Sequence, residues 1–148
     1  MFYLIGLGLN EKSLTAEALA VIRKCDKIYL ENYTAKFPYF IDKLEELISK
    51  KIIQLNREQV ENEGFLKEAK KKDVAWLVYG SPLAATTHIS LLLSCKKDKI
   101  KVSVLQNASI FDAVAETGLQ LYKFGKTASL PKWQAEENYK PDSFVEII

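Results

Sequence analysis

Histidine is almost missing from this sequence: His88 is the single one in 148 residues. A metal centre built from several imidazoles is therefore excluded within the chain. Cysteine is equally scarce. Cys25 and Cys95 are isolated and far apart, with no C-x-x-C pairing that would hold zinc or form a redox dithiol. Both border apolar stretches, so both are expected as small core residues. No apolar run approaches the roughly 20 residues that cross a bilayer, so no membrane partner is expected. The opening Met-Phe-Tyr-Leu-Ile has no basic leader, so no signal peptide is expected and the expected address is the cytoplasm. An excess of one charge is lacking too. Lys and Arg number 21 against 19 Asp and Glu, a formal charge of +2, which argues against direct nucleic-acid binding.

What is present is a globular composition, 48% hydrophobic and 27% charged, at the length of one ordinary domain. Short apolar runs alternate with helical stripes. Phe2 to Leu7 is a continuous apolar run ending in glycines, as in a buried parallel strand. Leu14, Ala18, Val21, Ile22 and Cys25 recur at helix spacing, with Ser13 or Thr15 available as cap. Lys27 to Glu31 reads as a second strand. Phe40, Leu44, Leu47 and Ile48 mark a second helix with Pro38 in its first turn, and Ile52 to Leu55 a third strand. Glu63 to Lys72 reads as one charged helix and Val74 to Val78 as a fourth strand. Ala85, Ile89, Leu92 and Leu93 form the stripe of the next helix, and Lys101 to Leu105 is a fifth strand. Ser109 heads a last helix that stops near Gly118, with Ser109 and Asp112 at capping-box spacing.

This order defines an α/β class: a single domain with a mostly parallel five-stranded sheet flanked by helices. In such sheets ligands sit beyond the carboxyl ends of the strands. The domain is expected over residues 1–130. Periodicity fades after residue 131, and Asp142 to Ile148 starts what reads as another helix. Residues 131–148 are thus expected as a linker and the start of a second unit absent from this sequence.

Function is sought in the loops after the strands. Gly6-Leu7-Gly8-Leu9 follows the first. A dinucleotide fingerprint needs a third glycine, and Glu11 occupies that position, so a nicotinamide enzyme is rejected although Glu31 ends the second strand where a ribose-binding acid would sit. Gly80-Ser81-Pro82 follows the fourth strand, and Thr86 and Thr87 are candidate caps of the next helix. His88 is either a base near neutral pH or a structural histidine. Gln106-Asn107-Ala108-Ser109-Ile110 follows the fifth strand.

Taken in order, several segments resemble the diphthine synthases of the tetrapyrrole methylase family. They are Phe2 to Leu9, Lys24 to Glu31 with Tyr33-Thr34, Asn56 to Glu61 and Pro82 to His88. The most specific are Asn107 to Ile110 with Gly118 to Lys126, followed by Trp133, Pro141 and Ser143-Phe144. The resemblance implies two α/β domains with S-adenosyl-L-methionine held between them. It implies transfer of methyl groups to the amino nitrogen of a modified histidine of translation elongation factor 2, a step of diphthamide synthesis. It also implies Leu9, Ser81, Ala84, Ser109 and Ile110 as cofactor-binding residues, Leu9 through its backbone. No residue is assigned as an obligatory base. The family usually has Gly-Asp-Pro where this chain has Gly80-Ser81-Pro82. The second domain is also missing, so the expectation is the N-terminal half of a split enzyme. Its partner would be a separately encoded C-terminal domain, in a homodimer or heterotetramer. The other expectation is a non-catalytic remnant with a binding role.

Overall fold

The computed structural model describes residues 1–31, 37–128 and 142–147. They fall into two compact units, Met1–Ala113 and Val114–Ile148. In the first unit the chain runs β1 (Phe2–Gly6), α1 (Ala16–Lys24), β2 (Lys27–Glu31), α2 (Ile41–Ile48) and β3 (Ile53–Leu55). It continues through α3 (Arg57–Glu61), α4 (Gly64–Glu68), β4 (Val74–Val78), α5 (Ile89–Lys97), β5 (Val102–Leu105) and α6 (Ile110–Ala113). All five strands are parallel and form one sheet in the order β3-β2-β4-β1-β5. This is the expected architecture.

The central strands read as unbroken apolar runs because they are covered on both faces. Alternate side chains feed two cores. Phe2, Leu4, Val74 and Trp76 pack with Phe65 and Leu66 of α4 and with Leu91 and Cys95 of α5. Ile5, Ala75 and Leu77 pack with Ala18 and Ile22 of α1 and with Leu44 and Ile48 of α2. Thr15 caps α1 by accepting from the Ala18 N–H at 3.1 Å.

Five helical expectations need correction. The helix expected from Glu63 to Lys72 is the shorter α4, Gly64–Glu68, and an unexpected helix, α3, precedes it. Asn56 and Gln59 form a capping box that starts α3, and Glu63 lies at φ 51°, a left-handed turn that separates the two. The stripe assigned to α5 holds only in part: Leu92 packs partly buried against the core, but Ile89 and Leu93 are exposed and the buried residues are Leu91 and Cys95. The helix begins only at Ile89, so Ala85 is not part of its register. Pro38 precedes α2 rather than entering its first turn, and Phe40 is exposed. The helix headed by Ser109 ends as α-helix at Ala113 and tightens into a 3-10 turn over Val114–Thr117. In the second unit, the helix expected from Asp142 is one 3-10 turn, Ser143–Glu146. Most of the expected linker lies outside the described residues.

Cys25 and Cys95 are completely buried, as expected. Burial is the main cause that pushes each thiol up to about 11. A thiol reagent at about pH 8, where an ordinary cysteine reacts, should therefore leave both untouched in the native state and label both on unfolding. Rapid labelling of native protein would contradict this packing.

Candidate functional site

At the carboxyl end of the sheet three loops meet on Gly6, the last residue of β1. A side chain at Gly6 would place its Cβ 2.7 Å from the Gly80 carbonyl, 2.8 Å from Pro82 Cδ and 3.0 Å from Asn107 Cβ. The loops after β1, β4 and β5 thus close in on a position that admits only hydrogen. Two links join them. Gly8 and Gly80 exchange backbone hydrogen bonds, 3.1 Å from the Gly8 N–H and 2.9 Å from the Gly80 N–H. The Asn107 amide donates to the carbonyls of Gly6 (3.1 Å) and Ser13 (3.0 Å). Asn107 is a clamp, a role that its place in the most family-specific segment of the sequence does not reveal. Its signal was faint: an amide can bridge two carbonyls, but nothing in the string said which two.

The residues singled out for a cofactor fall along this rim. The Leu9 carbonyl accepts from the Tyr79 hydroxyl at 3.1 Å. The Ser81 hydroxyl donates to Gln106 Oε1 at 3.2 Å, which ties the second loop to the third. The Ala84 N–H reaches the Ser81 carbonyl at 3.4 Å. Ser109 is buried, whereas Ile110 shows 62% of its surface. The rim therefore offers polar groups beside an exposed apolar side chain.

The capping expectations hold in part. Asp112 accepts from the Ser109 N–H (2.6 Å) and from the Ser109 hydroxyl (3.0 Å). The carboxylate half of a capping box is present, and the serine oxygen acts as donor. Those two bonds hold the Asp112 carboxyl below its ordinary range. A depressed acid stabilises above its unfolded pKa, and that contribution is lost as pH falls through the lower folded value. Protection of the Ser109 amide against hydrogen exchange should accordingly be steady at neutral pH and fall on acidification below about pH 4. Protection unchanged down to the acid unfolding limit would rule the cap out. Thr86 and Thr87 do not cap α5. The Thr86 hydroxyl donates instead to the Pro82 carbonyl at 2.8 Å, and α5 has no side-chain cap.

His88 and Glu31 were considered separately in the sequence and meet in the fold. His88 Nε2 lies 2.8 Å from Glu31 Oε2, and each side chain is only 8% exposed. His88 Nδ1 lies 3.1 Å from the Pro82 carbonyl. A carbonyl only accepts, so Nδ1 carries a hydrogen, and a 2.8 Å contact between Nε2 and a carboxyl oxygen needs one proton between them. The pair shares that proton and ties the end of β2 to the turn after β4.

The chain matches the family model described as Tetrapyrrole (Corrin/Porphyrin) Methylases over residues 1–145, and it belongs to that family. Within the family its similarities are specific. It is 48% identical over 151 residues to the diphthine methyl ester synthase of Schizosaccharomyces pombe, covering 100% of this chain and 53% of the relative. It is 44% identical over 152 residues to the diphthine synthase of Methanocaldococcus jannaschii, covering 100% of this chain and 58% of that one. A crystal structure from Entamoeba histolytica, provisionally assigned as a diphthine synthase, superposes with a TM-score of 0.83 at 42% identity, over 99% of this chain and 56% of that protein. The resemblance read from the sequence is borne out. The chain spans little more than half the length of the curated relatives it matches. Among the described residues no helix is long and apolar enough to cross a membrane.

Proposed function

We propose that this chain is the N-terminal half of an S-adenosyl-L-methionine-dependent methyltransferase of the diphthine synthase type, acting in the cytoplasm on translation elongation factor 2. The observation that carries the reading is the meeting of three post-strand loops on Gly6, held by the Gly8–Gly80 exchange and the Asn107 clamp. Leu9, Ser81, Ala84, Ser109 and Ile110 would line one wall of the donor site. The cofactor supplies a methyl group already activated on a sulfonium. The residues of the chain then have to hold donor and acceptor in line, which is worth roughly 7–11 kcal/mol when done well. They also have to keep water from the attacking amine, which favours its unprotonated form. One wall does neither alone. The part of the relatives that this sequence does not span would supply the other.

The acceptor is the amino nitrogen of a modified histidine. The name of the fission yeast relative denotes a methyl ester, so a carboxylate oxygen of the same group is a second acceptor. The test is methylation of elongation factor 2 by this chain with and without the second half, counting methyl groups by mass. Full activity from this chain alone would refute the need for a partner. No S-adenosyl-L-methionine binding by calorimetry in either mixture would leave the alternative, a non-catalytic remnant, which Ser81 in place of the family's aspartate favours.

Ser81→Asp separates these readings further. A charge-assisted hydrogen bond is about twice as strong as a neutral one, and a net gain of ~1 kcal/mol means about fivefold tighter cofactor binding. Gln106 faces the new carboxylate and would have to turn its amide NH2 toward it. Unchanged or weaker cofactor binding would show that position 81 lies outside the donor site.

A further inference from the structure

The formal charge of +2 for the whole chain conceals an uneven distribution. Residues 67–73 and 96–101 hold eight lysines against three acids. The first segment leads into β4 and the second into β5, and β1 lies between those strands. Phe2 is paired with both Val74 and Val102. Its N–H donates to the Lys101 carbonyl at 2.8 Å, and the Val74 N–H donates to the Met1 carbonyl at 2.9 Å. Neighbouring strands lie about 4.8 Å apart, so the two segments enter the sheet roughly 10 Å from each other. Topology thus gathers lysines from two distant parts of the chain at the amino end of the sheet. The rim with Gly6 lies at the opposite end, one five-residue strand away, roughly 16 Å.

The acids of these segments are already matched. Glu68 pairs with Lys27 at 2.8 Å, Asp73 with the Met1 ammonium at 3.1 Å and Asp98 with Lys70 at 2.9 Å. Lys71, Lys72, Lys96, Lys97, Lys99 and Lys101 are exposed, and none has an acid at ion-pair distance among the described residues. The Lys70–Asp98 pair ties one segment to the other, and beside it a notch of about 400 Å³ is bordered by Met1, Lys99 and Lys101. Like charges crowded on one face focus a positive potential and draw a polyanion.

The side chains that are not lysine narrow the choice of polyanion. The apolar members of the two segments, Ala69 and Ile100, are buried, and neither segment contains an aromatic residue or arginine. Protein interfaces deplete lysine and rely on aromatic, apolar or arginine anchors. Attachment to a bilayer surface uses an apolar face that enters the lipid. An unpaired nucleic-acid strand stacks its bases on aromatic rings. Lysines alone, set on both sides of a notch, match a ridge of phosphates whose bases are turned away, as in a double helix.

We propose that the amino end of the sheet docks a nucleic-acid duplex through its phosphate backbone, with Lys71, Lys72, Lys97 and Lys99 as the main contacts. Recognition is by charge and independent of base sequence. The site is separate from the rim, so it stands whether or not the rim binds a methyl donor.

The test is fluorescence anisotropy of a labelled 20-base-pair RNA duplex with the unaltered chain. Binding is expected at 50 mM salt, weakening about 100-fold at 200 mM if about four phosphates are neutralised. Replacing Lys71, Lys72, Lys97 and Lys99 together by Gln should weaken binding about tenfold or more at 50 mM salt. It should also lower the logarithmic salt slope by about one for each lysine that meets a phosphate. The control replaces Lys12, Lys43, Lys123 and Lys126 by Gln, which gives the same net charge and should bind like the parent. All eight lysines are exposed, so neither variant should lose much stability. A second measurement needs no variant: acetylation of the unaltered chain by a lysine reagent should slow at Lys71, Lys72, Lys97 and Lys99 when the duplex is added. The proposal is overturned by no binding at 50 mM salt, by equal weakening in the control, or by protection at Lys12 and Lys43 instead. Tighter binding of an unpaired strand of the same length, of polyglutamate or of phosphatidylserine vesicles would overturn it too.

Discussion

Gly8→Ala is expected to lower the melting temperature by about 4–20 °C and to abolish the proposed S-adenosyl-L-methionine binding, because two independent penalties fall on one position. The first is conformational. Gly8 sits at φ +72°, where a Cβ meets the following carbonyl and costs roughly 1–2 kcal/mol. The second is steric. The new Cβ would overlap Ser13 Cβ and lie 2.9 Å from Asn107 Oδ1. Overpacking of this kind costs about 1–3 kcal/mol. Together these give about 2–5 kcal/mol, which a domain of this size converts at roughly 2–4 °C for each kcal/mol. The loss of binding follows from the same contact. Asn107 has to move, and its two carbonyl bonds are the link between the first and third loops. Gly64→Ala is the control. Nothing lies within 4 Å of a Cβ there and the residue opens α4, so stability should be unchanged or raised by up to about 1 kcal/mol. Thermal melts and calorimetry of the two variants decide the matter. A Gly8→Ala protein that melts and binds like the parent would mean that the rim is not the donor wall.

The two glycine variants mark the limit of what sequence could tell. Strands β1, β2 and β4 were legible because both their faces are buried, so their apolar runs are nearly continuous and end in turns. The helices were legible as periodicity and less so as faces. In α5 the sequence ISLLLSCKK offers leucines on several sides, and only the sheet beneath decides that Leu91 and Cys95 face inward. Tertiary context overrode the local pattern there. The short helix α3 was not anticipated, and what sets it apart from α4 is Glu63 in a left-handed conformation, which a non-glycine residue seldom signals in advance. The site divides in the same way. Gly6, Gly8, Gly80 and Ser109 announced themselves by chemistry at predictable places after strands. Asn107 as a clamp and Glu31 as the partner of His88 depend on contacts between residues distant in the chain, and composition carries no trace of those. Taken singly, Glu31 reads as a candidate ribose acid and His88 as a base or a structural histidine; in the fold each is half of one pair.

That pair gives the other large effect. His88→Ala should destabilise the fold by about 1–3 kcal/mol, since it removes the hydrogen-bond partner of the buried Glu31 carboxyl. Glu31→Gln should cost only about 1 kcal/mol. A neutral imidazole with its hydrogen on Nδ1 still donates to the Pro82 carbonyl, and its Nε2 lone pair accepts from the glutamine amide. The variant keeps volume and a hydrogen bond and removes only the acid. The double variant is the sharper test. With the carboxylate gone, His88→Ala/Glu31→Gln should be more stable than His88→Ala alone, by a coupling of roughly 0.5–3 kcal/mol. Denaturation midpoints of the parent, both single variants and the double variant measure it. If the two single losses simply add, the proton is not shared, and His88 owes its place to packing against Trp76, whose ring centroid lies 6.3 Å away.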